Sequence, residues 1–278
     1  MSPTRTLIAN PFASRVSEER LRAVEQDLRP VETLLTERRG HATELARDAA
    51  GEEVWVLGGD GVVNEVLNGL RPDVTLGIVP GGHTNVFARA LRRSGSGARR
   101  ISLGRVNGRR FGFAAGIGVD SEAVREMETE QRARAGRRPS DLAYARTVAG
   151  RLLHGYSPRL DVGGSGRASI VLVSNDCVFT YAGPRPLILS PDARFELGLD
   201  LVAPERVDLK ALTRFAPRLA AGRGLAGARG VLAGHDLDRI EVACDGPLPL
   251  QADGEDLGDV REAVFEAERD ALTVLVHG

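Results

Sequence analysis

Cysteine is scarce in this chain of 278 residues: Cys177 and Cys244 are its only two, far apart in sequence, so neither a disulfide framework nor a cysteine-built metal site is expected. No stretch reads as a secretory leader, and reduced thiols in the cytoplasm are the matching expectation. Apolar runs are short. None approaches the roughly 20 residues that a membrane-spanning helix needs, which leaves a soluble protein or one that touches a membrane from one side. Net charge is lacking as well: the formal value of −1 excludes a global attraction to nucleic acid or anionic lipid. Internal repeats and low-complexity tracts are missing. His41, His83, His154 and His235 have no metal-ligand spacing, although His83 neighbours a glycine-rich loop. Lysine is reduced to Lys210, so arginine supplies nearly all the positive charge.

What is present is organised around residues 54–70. Val54-Trp55-Val56-Leu57 has no polar alternation, the pattern of a strand covered on both faces in a parallel sheet. Gly58 and Gly59 follow, residues that tolerate positive φ and allow another group to approach the backbone closely. Val62, Val63, Val66, Leu67 and Leu70 then fall on one side of a helix, with Asn64, Glu65 and Asn68 on the other. A strand, glycine turn and helix aim free N–H groups and a helix dipole at one point, which suits a phosphate. Asp60 inside that cradle points to a divalent cation, Mg²⁺, beside it. A second junction repeats the grammar: Thr75-Leu76-Gly77-Ile78-Val79, then Pro80-Gly81-Gly82-His83-Thr84-Asn85, then a helical pattern through Val86, Phe87, Ala90 and Leu91. Two such strand ends open at the carboxyl edge of a sheet, where open α/β sheets bind ligands.

In chain order, 5–9 reads as a strand, 17–28 as an amphipathic helix, 31–35 as a strand and 41–50 as a short helix. The alternation predicts an N-terminal doubly wound, Rossmann-like nucleotide-binding domain over residues 1–96. Arg92-Arg93-Ser94-Gly95-Ser96-Gly97 reads as a link. Residues 97–278 then read as a mainly β, sandwich-like domain whose final strand has the option of returning to the first domain. Its expected strands are 101–106 and 111–115 about the Asn107-Gly108 turn, then 168–173, 187–189, 197–202, 240–243, 249–252, 263–267 and 271–276. Its expected helices are 121–153 and 209–219.

Taken together, the loops resemble the diacylglycerol kinase catalytic-domain family, which also includes sphingosine and ceramide kinases and bacterial soluble lipid kinases. Asn10-Pro11 resembles its first-strand NP turn, and Thr36 with Gly40-His41-Ala42 its T…GHA element. Gly58-Gly59-Asp60-Gly61-Val62-Val63-Asn64-Glu65 is similar to GGDGTxNEV, and Pro80 to Asn85 to its second glycine loop. Gly116-Ile117-Gly118-Val119-Asp120 and Gln251-Ala252-Asp253-Gly254-Glu255 resemble the aGiGfDa and closing DGE segments. The resemblance implies an ATP-dependent, Mg²⁺-assisted kinase acting on a hydroxyl of diacylglycerol or a related lipid. It implies nucleotide contacts at Thr36, Gly58, Gly59, Asp60, Gly61, Val62, Val63, Asn64, Thr84 and Asn85, and a general base at Asp253 or Glu255. From the residues alone, Asp253-Gly254 also reads as an ordinary hairpin turn.

The chain departs from the family pattern in three places. Val62 stands where a threonine is usual, Val86 where many members have an aspartate, and Glu196 where some bacterial relatives begin a metal-binding DGLLD-like segment, here running to Asp200. Asp60 and Glu196 are accordingly the metal candidates. Two arginine clusters, at Arg89, Arg92, Arg93, Arg99, Arg100, Arg105, Arg109 and Arg110 and at Arg132, Arg134, Arg137 and Arg138, fit either transient contact with the inner face of a membrane or a solvated surface. The helix carrying Leu142, Tyr144, Ala145, Val148, Leu152 and Leu153 fits core packing or a cover for a lipid slot. Partners expected are ATP and a lipid alcohol, with a homodimer suggested by the resemblance and no nucleic acid. The competing expectations are an NAD kinase, whose GxNxGxLGF pattern is not found here, and a non-catalytic lipid- or nucleotide-binding protein.

Overall fold

A computed structural model of the chain describes residues 3–95, 97–133, 150 and 158–276. The chain divides into two units, one of residues 1–103 with 269–278 and one of residues 104–268.

The first unit alternates β1 (Arg5–Ala9), α1 (Glu18–Leu28), β2 (Glu32–Leu35), α2 (His41–Asp48), β3 (Glu53–Gly58), α3 (Asp60–Gly69), β4 (Thr75–Pro80) and α4 (Val86–Ser94). Its strands are parallel in the order β4, β3, β1, β2, and residues 274–276 of the chain's last strand lie parallel to β4. Leu7, Ala9, Trp55, Leu57 and Val79 form one core cluster with Val24 and Leu28 of α1. The alternate residues Ile8, Val54, Val56 and Ile78 are equally buried, so the sheet is covered on both sides. That double cover is why these strands read as unbroken apolar runs, each fully buried Leu or Val stabilising by about 1.5–3 kcal/mol. Ser17 caps α1 by accepting the Arg20 N–H at 3.2 Å, with Glu18 and Glu19 in the favourable first turn. Gly77 is required by packing: a Cβ there would lie 2.1 Å from the Trp55 ring.

The second unit takes up the chain within β5 (Arg99–Val106), which turns at Asn107-Gly108 into β6 (Arg109–Phe111). Both turn residues have positive φ, 47° and 84°, as the sequence predicts. There follow β7 (Ala114–Ile117), α5 (Val119–Ala133), β8 (Leu160–Val162), β9 (Gly166–Ala168), β10 (Val171–Ser174), β11 (Val178–Ala182), β12 (Arg185–Ile188), β13 (Leu199–Pro204), α6 (Leu209–Ala220), β14 (Val231–Leu237), β15 (Arg239–Ala252) and β16 (Glu255–Val276). Strands run in the order β14, β13, β10, β7, β15, β16, and β8 with β9 attaches to the first half of β15. Strands from both sets enclose one core, in which Ile117, Val173 and Leu201 meet Leu160, Val162 and Phe265. The α/β first unit and the sheet-built second unit are the architecture expected from the sequence.

Two pairs of expected strands fuse. Segments 240–243 and 249–252 are parts of β15, and 263–267 and 271–276 parts of β16. Asp245-Gly246-Pro247 has the composition of a turn, but the pairing of β15 with β16 absorbs it as a register shift between Ala243 and Leu248. The expected 168–173 strand splits into β9 and β10; β8 alternates but is only three residues long, and β11 and β14 were not expected from the sequence. The 121–153 helix starts at Val119 and is described to Ala133. Leu142, Tyr144, Ala145, Val148, Leu152, Leu153, His154, Arg134, Arg137 and Arg138 lie outside the described residues, as does the link residue Ser96. Among the described residues no helix is long and apolar enough to cross a membrane.

Candidate functional site

Two glycine junctions meet at the carboxyl edge of the first unit's sheet. Gly58 of β3 is in register with Pro80 of β4, and the Gly81 N–H donates to the Gly58 carbonyl at 2.6 Å. The glycines are needed for contact and not, as the sequence suggested, for positive φ: Gly59 has φ −95° and neither Gly58 nor Gly82 has a left-handed backbone. A Cβ on Gly58 would lie 2.1 Å from Val62 Cγ1, and one on Gly82 would lie 2.5 Å from Gly59 Cα. The two loops touch backbone to backbone. The N-cap residue of α3 is Gly59, which has no side chain to cap with, at the place where such a junction receives an anion.

Several motif residues brace this geometry. Both Asp60 carboxylate oxygens accept backbone N–H groups of the next helix, Val86 at 2.9 Å and Phe87 at 3.1 Å, so the aspartate closes the amino end of α4. Asn85, with φ 49°, accepts the Gly82 N–H and donates to the Gly82 carbonyl, both at 2.8 Å, which closes the second loop into a ring. Glu65 accepts the N–H groups of Gly40 (2.8 Å) and Ala42 (3.1 Å) and so caps α2. Asn64, within α3, is fully buried on the same helix as buried Val62 and Val63, and it accepts from the Asn68 side chain. Thr36 is buried past the end of β2, its N–H donating to Ala9. Thr84 is half-buried and His83 exposed.

The second unit holds the other candidates. Asp253 and Gly254 form the turn between β15 and β16 with φ 50° and 80°, so the hairpin reading of these residues is correct. Asp253 does more than turn the chain. It is buried, and its carboxylate accepts the N–H groups of Gly112 (2.6 Å), Phe113 (3.0 Å) and Ala114 (3.2 Å), holding the chain between β6 and β7. Gln251 steadies the same corner by donating to buried Asp120 at 2.9 Å and accepting the Gly254 N–H at 3.0 Å. Glu255 pairs with Arg109 at 2.7 Å and its side chain is 13% exposed. Arg105 and Arg110 converge on Glu268, at 2.9 Å and 2.5 Å, so part of the first arginine cluster is committed to ion pairs within the unit. Burial raises the Glu268 pKa, but Arg110 and Arg105 outweigh it and the net shift is downward.

Glu196 is exposed in the loop before β13. Asp60 is tied to amides, and among the described residues no three acidic, histidine or cysteine side chains form a metal-holding group. Asp60 and Glu196 therefore do not come together as a protein-built Mg²⁺ cage among the described residues. Near Glu196 the structure brings together a network that the sequence did not reveal. Fully buried Asp200 accepts from Ser190 Oγ and from the Asp236 N–H (3.2 Å), and it pairs with His235 Nδ1 at 2.9 Å. The advance signals were the DGLLD-like segment that runs to Asp200 and a histidine set aside for lacking metal spacing.

The hydrogen bond to Asp200 holds the His235 pKa above its ordinary value, against a smaller opposing effect of burial. A raised pKa means stabilisation that is complete below the unfolded histidine value of about 6.5 and lost as pH rises through the folded value. Urea midpoints of the parent chain are therefore expected to fall across that window, and those of His235→Gln to be flat there. The effect is modest, because the imidazole is 48% exposed. Parallel pH profiles of parent and variant would refute the pairing.

Residues 4–108 match the family model described as the diacylglycerol kinase catalytic domain. A Bacillus subtilis protein named diacylglycerol kinase is 38% identical over 109 residues, covering 33% of this chain and 36% of that protein. Human sphingosine kinase 1 is 32% identical over 193 residues, 54% of this chain and 49% of its own length. The chain thus matches less than half of the length of each of these relatives. A crystal structure of a diacylglycerol kinase from Bacillus anthracis superposes with TM-score 0.69 over 99% of this chain and 97% of that one; at 19% identity the likeness is one of fold.

Proposed function

We propose that this chain, whose residues 4–108 belong to the diacylglycerol kinase catalytic-domain family, is an ATP-dependent lipid kinase that transfers the γ-phosphate to a hydroxyl of diacylglycerol or a related lipid alcohol. The observation that carries the reading is the backbone contact between the Gly58-Gly59 and Gly81-Gly82 loops, which presents the amino end of α3 at the carboxyl edge of the sheet. Phosphoryl transfer asks little covalent chemistry of a protein and much positioning and charge stabilisation. Backbone amides at Asp60, Gly61 and Val62 bind and orient the phosphates, with Thr36, Thr84 and the braced Asn64 and Asn85 shaping the nucleotide site. Bulky buried Val62 and Val63 keep the floor of the loop dry and rigid. Asp60 ties the start of α4 to the start of α3, so the two loops keep one spacing while phosphate charge develops.

Asp253 and Glu255 are assigned the alcohol. One of them accepts the hydroxyl proton as the oxygen attacks; Asp253 also accepts three backbone N–H groups, and Glu255 is paired with Arg109. Mg²⁺ bound to the nucleotide would neutralise phosphate charge. Action in the cytoplasm, at the inner face of a membrane where the lipid resides, belongs to the same reading.

Incubating the full chain with γ-labelled ATP, Mg²⁺ and a panel of diacylglycerol, sphingosine, undecaprenol and NAD tests it. Label is expected in at least one lipid and none in NAD. Label in NAD alone would replace the lipid kinase with an NAD kinase, and bound ATP with no labelled product would make the chain a binding protein.

A further inference from the structure

We propose that a groove between α1 and α4 of the first unit binds a phosphate monoester at a place separate from the nucleotide phosphates. The groove encloses about 440 Å³ and is lined by Arg15, Arg20, Ala23, Val24, Asp27, Val79, Pro80, Asn85 and Arg92. That volume lies within the range of roughly 300–1,000 Å³ typical of small-molecule sites.

Three guanidinium groups face one carboxylate, Asp27, which leaves the lining with a positive excess. Arg20 is already placed. Its Nη2 donates to the Pro80 carbonyl at 2.6 Å and its Nη1 to the Arg15 carbonyl at 2.9 Å, so the cation needs no ordering when an anion arrives. The same bonds fix the backbone that carries Arg15, and the Arg15 N–H donates to Gly81 at 3.0 Å. Arg92 comes from the last turn of α4, on the groove's other wall. Planar guanidinium forks pair with phosphate oxygens two at a time, and a lining with three of them suits the double charge of a phosphate monoester. Between the charged groups the floor is apolar, built from Ala23, Val24 and Val79. A phosphate on a short apolar stem would satisfy both surfaces, so the shared chemistry is the phosphate monoester, whose source is free phosphate or a phosphorylated lipid head group.

The first turn of α3 contributes nothing to this lining, so the two anions would have different donors, while Pro80 and Asn85 connect the groove to the second glycine loop. The inference stands without the lipid kinase reading, because it rests on the groove alone.

The chain contains one tryptophan, Trp55, and it packs in the same core cluster as Val24 and Val79. Its emission is a built-in reporter of groove occupancy. The full chain would be titrated with inorganic phosphate and, separately, with dihexanoyl phosphatidic acid below its micelle concentration. Each titration would be run with and without a saturating non-hydrolysable ATP analogue, on the parent, Arg15→Gln and Arg92→Gln. Expected is a saturable change with the lipid or with both probes, weakened at least tenfold in each variant and unaffected by the analogue. Saturation by both probes makes phosphate itself the ligand, and saturation by the lipid alone makes it the head group. No saturable change with either probe, equal affinity in the variants, or displacement by the analogue would overturn the proposal. Far-UV melting checks that the variants fold. Arg15 is exposed, so its variant carries the comparison if Arg92→Gln is unstable.

Discussion

Gly82→Ala is expected to cost at least tenfold in ATP affinity and to lower the melting temperature by several degrees. An alanine Cβ at this position would stand 2.5 Å from Gly59 Cα and 3.0 Å from Asn85 Oδ1. The nearest obstacle is backbone, which cannot rotate away as a side chain does. Relief requires the two loops to part, and parting strains the Gly81–Gly58 hydrogen bond of 2.6 Å and the Asn85–Gly82 ring. Forced overpacking of this kind costs about 1–3 kcal/mol. In a chain of this size each kcal/mol is worth about 2–4 °C, so a fall of about 2–12 °C follows. Affinity falls further than stability alone requires, because the displaced amides are the ones assigned to the phosphates. Gly246→Ala is the control: a Cβ there meets nothing within 4 Å. Calorimetric titration with an ATP analogue and thermal melting read both effects. An unchanged Kd in Gly82→Ala would remove the paired loops from the nucleotide site.

Asp253→Asn and Glu255→Gln together carry the second large effect. Loss of a general base reduces turnover by about 10²–10⁴-fold, and one of the two variants is expected to show such a drop in kcat with nucleotide affinity kept. Their stabilities separate the roles. In Asp253→Asn the new amide would offer one acceptor oxygen and an NH₂ group to three backbone donors, leaving at least one buried N–H without its partner at a cost of about 1–3 kcal/mol. Glu255→Gln keeps the side chain's shape, loses the charge of its pairing with Arg109 at 2.7 Å and is expected to melt close to the parent. A large kcat loss in Glu255→Gln with an unchanged melting temperature identifies the base without ambiguity. If both variants keep full turnover on a lipid that the parent phosphorylates, neither carboxylate prepares the alcohol.

The contrast between these residues shows what kind of information each carries locally. Gly58, Gly59, Gly81 and Gly82 announced a close backbone approach, and the contact is there, although the positive φ that glycine also permits is not used. Asp60 looked like a metal pointer because an aspartate in a phosphate cradle is electrostatically odd. It accepts amides 26 and 27 residues away, and only the fold that brings the start of α4 to the start of α3 makes that carboxylate a cap. Val86 has a similar explanation: it stands at the first turn of α4, buried, with its N–H bound to Asp60. Asp245-Gly246-Pro247 misled in the other direction, because a bulge inside a long paired strand has the same composition as a turn between two short ones.

The order of strands and helices in the first unit, the two strand–glycine–helix junctions and the family likeness were determined by the sequence alone, because hydrophobic periodicity and turn chemistry act over a few neighbouring residues. Tertiary structure decided which carboxylates serve as clamps: Asp60 at α4, Glu65 at α2, Asp253 at the 112–114 backbone and Asp200 with His235. The reason is that a hydrogen bond's partner is chosen by proximity in space. Asp253 and Gly112 lie 141 positions apart, a separation over which periodicity carries no signal.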